Sequence, residues 1–183
     1  SRLNIDIEYR FYAGLPFFHK FGKMKAVKQF VSTALRDDEW VFTGQPFTGS
    51  LWMGADEKLK FGEIDKANEH SVKAFGYYNK DSKDSFVGLY LEHSAEEIPT
   101  FLHAGHSMLY YNWHGTVWVR HPTMVGIKNH TIPEGAILKQ KNAYVTIAFT
   151  EKDGPGKIEA LRKELLSPMD SFSAGLPATS SAK

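Results

Sequence analysis

Leu3-Asn4-Ile5-Asp6-Ile7-Glu8-Tyr9-Arg10-Phe11 alternates apolar and polar residues over nine positions without a break. Alternation at a period of two belongs to a β-strand with one face toward a core, since a helix would need apolar residues every three to four positions. Ala13-Gly14-Leu15-Pro16 then reads as a turn, and 17–30 as a second β segment with Gly22 as its expected bulge or bend. A meander is therefore under way within the first thirty residues. Ordinary domains seldom begin a long strand at their third residue, so the opening also suggests a fragment or subunit of a longer, cleaved polypeptide.

Shorter strands are expected at 34–42 and 47–53, separated by the turn-rich Thr43-Gly44-Gln45-Pro46. The polar stretch 58–68 carries no clear period. Segments 75–79 and 85–92 are rich in aromatic and β-branched residues and flank the charged loop Lys80-Asp81-Ser82-Lys83-Asp84, a hairpin pattern. Pro99 interrupts the pattern before the histidine-rich region, and 136–150 supplies a late strand through Ala143, Val145, Ile147 and Phe149. One helix is expected, from about Lys157 to Leu166, with Ile158, Leu161 and Leu165 on one stripe and Pro168 as its stop. Many short strands and a single terminal helix specify an all-β fold, an antiparallel β-sandwich of two packed sheets with one short C-terminal helix. Residues 1–166 form the expected sandwich domain. The Ser-, Ala-, Gly- and Pro-rich 167–183 form a surface or disordered tail.

Composition excludes several classes of function. The 183 residues are 42% hydrophobic, enough for a substantial core, and 22 basic against 21 acidic residues leave a formal charge of +1. No Lys/Arg block could track a phosphate backbone, so nucleic acid is not an expected partner. No run of 18 apolar residues suggests a membrane span, and no basic-then-apolar start suggests a signal peptide; if the protein is exported, its signal has already been removed. The absence of cysteine excludes disulfides, thiolate metal sites and a cysteine nucleophile, and leaves the compartment unknown.

Candidate chemistry concentrates in the stretch 101–122, FLHAGHSMLYYNWHGTVWVRHP, which holds four of the eight histidines. Read as one continuous strand, it puts His106, Met108, Tyr110, Asn112, His114, Thr116, Trp118 and Arg120 on one face and Leu109, Tyr111, Trp113, Val117 and Val119 on the other. Removing a proton beside a uronate carboxylate needs a base, a cation to neutralise the carboxylate and an acid at the leaving oxygen. His106 or His114 could be the base, Arg120 with Asn112 could hold the carboxylate, Tyr110 could protonate the leaving group, and Trp118 could stack on a pyranose ring. The bland alternative makes Tyr110 and Trp118 outer-sheet aromatics and Arg120 a solvated charge.

A second reading turns Asn112-Trp113-His114-Gly115 into a hairpin that folds His106 back across from His121. His93 or His103 then completes a site for one divalent or transition-metal ion, with His93, His103, His106 and His121 as candidate ligands. Paired carboxylates, Glu92 with Glu39 or with Glu96 and Glu97, form a weaker hydrolytic alternative. No G-x-S-x-G elbow and no Gly-rich phosphate cradle occurs. If neutral histidines act as base or ligands, function falls as pH drops below about 6.5.

The segment IEYRFYAGLPFF (7–18) is a long amphipathic strand, a turn and a second strand, and QKNAYVTIAF (140–149) is a polar approach to a closing strand. Both resemble strands of the large β-sandwich domains of polysaccharide lyases and galactose mutarotase-like proteins. The resemblance covers about a third of the chain and implies a carbohydrate-active sandwich, with His and Tyr on a concave sheet as site residues and a small molecule or oligosaccharide, acidic or polyhydroxylated, as substrate. The competing class is a non-catalytic binding or assembly module of a larger complex. Its support is an aromatic content of 14%, the abrupt start and a tail suited to docking on a second protein chain.

Overall fold

The computed structural model describes residues 1–44, 46–64, 67–69, 72–97, 108–113 and 116–166; for positions 33, 34, 36–38, 67–69, 108–113 and 116–128 it describes the backbone only. Among the described residues, two antiparallel sheets and one helix make up the fold. The larger sheet holds seven strands in the order β1 (Leu3–Phe11), β2 (Phe17–Ala26), β11 (Ile137–Val145), β8 (Ser85–Glu96), β7 (Ala74–Tyr78), β4 (Gly49–Met53) and β5 (Leu59–Gly62). The smaller holds β3 (Phe30–Phe42), β10 (Thr116–Ile132), β9 (Met108–Trp113) and β6 (Ala67–Glu69). Helix α1 (Gly154–Leu165) follows the last strand. The expected all-β sandwich with one short C-terminal helix is the observed architecture.

Side-chain alternation decides which face of the larger sheet each residue serves. On one face Phe17, Leu51, Met53, Val87, Leu89, Ala143 and Val145 pack beneath Phe149, Ile158 and Leu165, so the helix and the segment leading into it form a partial third layer. On the other face Phe75, Tyr77 and Tyr90 meet Trp40 and Phe42 of β3, which joins the two sheets. The Trp40 ring stands edge-on to Phe86 and Tyr144, with centroids 4.7 and 5.4 Å away. A Cβ at Gly88 would lie 2.6 Å from that indole, so the missing side chain there lets the sheets close. Burial of each large side chain contributes about 1.5–3 kcal/mol.

The structure differs from the sequence reading at several boundaries. Gly22 is not a bulge: β1 and β2 pair over nine consecutive residues through Ile7↔Gly22, and β11 pairs through it without a shift. Gln140 packs over Gly22, where a Cβ would meet its side chain at 2.7 Å. The irregularity of this sheet falls instead between Lys141 and Asn142, where β11 steps from Glu92 to Tyr90 of β8. The segment 58–68 holds most of two short strands, β5 and β6. Strand β10 runs for 17 residues through Pro122, a residue that reads as a terminator; the proline sits where the pairing with β3 changes register, so no regular ladder bond is lost there. The helix starts three residues early at Gly154, since Asp153 occupies the N-cap and Pro155 suits the first turn. Residues 167–183 lie outside the described residues.

Candidate functional site

Past the residues that pack against Phe149, Ile158 and Leu165, the helix-side face of the larger sheet changes from apolar to charged. Two rungs cross four strands there. Asp6 pairs with Lys23, Lys23 with Lys139 and Lys139 with Ser94; Glu8 pairs with Phe21, Phe21 with Lys141 and Lys141 with Glu92. Directly opposed residues of antiparallel strands project from the same side, with Cβ atoms about 5 Å apart, so these eight form one wall. They line an open cleft of about 520 Å3, together with Ile7, Gly22 and Gln140.

Three ammonium groups and three carboxylates interleave on this wall. Lys139 donates to Glu96, whose carboxyl is held below its ordinary range by that bond. Lys141 Nζ lies 3.6 Å from Glu92, with the lysine side chain only 10% exposed and the glutamate 74%. Arg10 donates to Glu8 and places its guanidinium 4.4 Å from the centre of the Phe21 ring, a cation–π contact that fixes the aromatic face at the edge of the cleft. One rung further on, Arg10 pairs with His19 and His19 with Ala143. The His19 ring is buried among Tyr12, Phe17 and Phe21, with Nδ1 3.0 Å from the Tyr12 hydroxyl and Nε2 without a partner among the described residues. Burial first, then the charges of Lys141 and Arg10, push its pKa down to about 4, so the imidazole is neutral at pH 7. Carboxylates that accept paired hydroxyls, ammonium groups that donate to them and an aromatic edge give the cleft the chemistry to hold a hydroxyl-rich molecule.

The opposite face of the same strands carries a buried polar chain. His93 Nε2 donates to Asn142 Oδ1 at 3.0 Å, and Asn142 Nδ2 donates to Gln140 Oε1 at 2.8 Å; Asn142 is fully buried. Of the expected metal ligands, His93 is the one whose side chain is described, and one of its ring nitrogens is committed to this network. His103 and His106 lie outside the described residues, and His121 is described by backbone only. Among the described residues no cluster of three His, Asp or Glu side chains is placed to hold a metal. Of the weighed carboxylates, Glu92 and Glu96 on β8 pair with Lys141 and Lys139, whereas Glu39 stands on β3 of the other sheet.

Within the histidine-rich stretch, 109–113 and 116–120 pair as the two arms of a hairpin. Trp113 pairs with Thr116, which leaves only positions 114 and 115 between β9 and β10, and the ladder runs on to Leu109↔Arg120. A two-residue connection reverses the alternation across the turn. Tyr110 and Asn112 therefore share a face with Val119 and Val117, and Trp118 and Arg120 share the other with Tyr111 and Leu109. This corrects the single reactive face read from a continuous strand. β3 extends the ladder: Val119 pairs with Trp40, which packs on the larger sheet, and Arg120 with the exposed Glu39. His106 and His114 lie outside the described residues.

Sequence reasoning missed Phe21, Lys23, Lys139, Lys141 and His19. A usable signal was present in ILKQKNAYV, where the odd positions Lys139, Lys141, Ala143 and Val145 pass from charged to apolar along one face.

No protein-family model matches the chain, and no curated protein matches it in sequence. Among solved structures it is similar to the GH36 α-galactosidase AgaA from Geobacillus stearothermophilus, with a TM-score of 0.53, 10% identity, and coverage of 80% of this chain and 22% of that one. A variant of that enzyme in complex with 1-deoxygalactonojirimycin gives the same values. The CBM3a-L domain of scaffoldin CipA of the Clostridium thermocellum cellulosome follows with a TM-score of 0.24, 5% identity, and coverage of 81% of this chain and 73% of that one. The likeness to the α-galactosidase is one of fold, and the chain spans about a fifth of that enzyme's length. Among the described residues no helix is long and apolar enough to cross a membrane.

Proposed function

We propose that the protein is a carbohydrate-active β-sandwich domain that holds an acidic or polyhydroxylated saccharide in the charged cleft of its larger sheet. The observation that carries this reading is the pair of rungs through Asp6, Lys23, Lys139 and Ser94 and through Glu8, Phe21, Lys141 and Glu92, which set interleaved charges beside an aromatic edge. The sandwich shared with part of an α-galactosidase supports it. Isothermal titration with neutral galactosides, uronic acids and their short oligomers tests the proposal. Saturable binding of at least one of these, weakened about tenfold or more by Lys141→Ala and by Phe21→Ala, is expected. Absence of heat with every sugar, or affinity untouched by both substitutions, overturns it.

A second reading is lyase-like acid/base chemistry on the Tyr110 and Asn112 face of the hairpin, with His106 or His114 as base, Tyr110 as acid and Asn112 as a substrate contact; Arg120 and Trp118, on the other face, take no part in it. Its support is the pairing that sets Tyr110 beside Val119 and Asn112 beside Val117 at the tip of the smaller sheet. Release of an unsaturated uronate, read by ultraviolet absorbance and lost in His106→Ala, His114→Ala or Tyr110→Phe, is the expected result. Turnover retained by all three folded variants contradicts it.

A further inference from the structure

Strand β1 is the outermost strand of the larger sheet, and no described strand pairs with its outer edge. It is also the place where the alternation is inverted in its effect: Ile5, Ile7, Tyr9 and Phe11 are 55%, 52%, 51% and 74% exposed, although they form the apolar row of the most regular strand in the chain. The pairing with β2 runs over nine residues with no register shift, so no bulge twists the edge away. The strand contains no proline and no lysine, the usual guards of an open edge. A long, regular edge with an apolar row beside it is a template for another strand.

We propose that a second copy of this chain occupies that edge. The two β1 strands pair antiparallel about a two-fold axis at Tyr9 and join the larger sheets into one continuous sheet. The charge pattern argues for self-pairing and selects its register among the axes at Asp6, Ile7, Glu8 and Tyr9 in the middle of the strand. Opposed residues in an antiparallel pair share a face, so the apolar rows of both copies stay on one side only when paired residue numbers have an even sum. With the axis at Ile7, Asp6 would face Glu8 of the second copy; with the axis at Glu8 or Asp6, that residue would face its own duplicate. With the axis at Tyr9, Glu8 faces Arg10 of the second copy and Arg10 faces its Glu8, while Ile7 faces Phe11 on the apolar side. Because Arg10 already bonds Glu8 within one chain, the four groups close into a ring of alternating charge. The interface is isologous, as a closed dimer requires.

Sedimentation velocity of the full chain across about 1–100 µM tests the proposal, since a dimer must appear with concentration. A reversible monomer–dimer equilibrium is expected. Ile7→Lys and Arg10→Glu should each raise the dissociation constant about tenfold or more, and Glu8→Arg combined with Arg10→Glu should restore it by exchanging the two charges. Circular dichroism of each variant checks the fold, which is expected to persist because Ile7 and Glu8 are exposed and Arg10 is half-buried at the surface. A monomer over the whole range, a dimer indifferent to Ile7→Lys, or a folded double variant that stays monomeric overturns the proposal.

Discussion

Strands β2, β11 and β8 serve opposite purposes at their two ends. Where α1 and the segment before it cover them, the helix-side positions are Phe17, Val145 and Val87, then Ala143 and Leu89, all buried. Four residues further along β2 and β11, and five along β8 past its bulge, they are Phe21, Lys141 and Glu92, then Lys23, Lys139 and Ser94, which line the cleft. The strands run on through both halves, with one step in the β11–β8 register between Lys141 and Asn142. The difference lies in the cover: among the described residues it ends where the strand faces pass from apolar to charged. His19 sits at that border, enclosed like the core residues and within reach of the charges of Lys141 and Arg10.

The largest expected effect comes from breaking the covered half. Phe149 is buried against Phe61 and Tyr78 and packs on Gly154 at the start of the helix. Phe149→Ala is expected to cost about 3–5 kcal/mol in urea denaturation. A loss below 1 kcal/mol would mean that the helix does not close this core.

At the border the effect is one of pH. His19 stays neutral in the fold down to about pH 4, whereas in the unfolded chain it takes up a proton near pH 6.5. The unfolded state then binds more protons than the folded one, so stability falls as pH drops from about 6.5 to about 4, by on the order of 3 kcal/mol from this group. Denaturation curves at several pH values for the parent and His19→Gln should diverge over that window, with the variant the flatter of the two. Parallel curves would remove His19 from the account.

Asn142→Ala tests the polar chain on the opposite face. The substitution leaves His93 and Gln140 without their shared partner and is expected to cost about 1–3 kcal/mol. The smallest effect belongs to the open half. Lys139→Ala removes an exposed ion pair with Glu96 and should change stability by less than about 0.5 kcal/mol. A large loss there would show that the cleft residues hold the fold together.

Much of the sandwich was legible because alternation is a local property: β1, β7 and the start of β8 stand in the sequence nearly as they stand in the structure. The elements that escaped have reasons of their own. β5 and β6 are three to four residues long, too short to show a period. β10 passes through Pro122 by a register shift that only its partner β3 reveals. The reading of Gly22 as a bulge failed because its function is to admit Gln140 from the neighbouring strand. The site was less legible than the fold. Periodicity tells which residues share a face within one strand, and the two-residue connection at 114–115 changes the faces of Trp118 and Arg120 relative to Tyr110. The cleft is drawn from four strands separated by up to 135 residues, and the pairing that assembles Asp6, Lys23, Lys141 and Glu92 is a long-range choice.

The central claim is that the uncovered, charged half of the larger sheet is the saccharide site. Backbone amide chemical-shift mapping during titration with galactose- and uronate-containing oligosaccharides locates binding directly. The account predicts saturating shifts at Asp6, Glu8, Phe21, Lys23, Glu92, Ser94, Lys139 and Lys141, with Ala143, Val145 and the helix left in place. Shifts confined to β9 and β10, with the cleft silent, would contradict it and move the site to the histidine-rich hairpin.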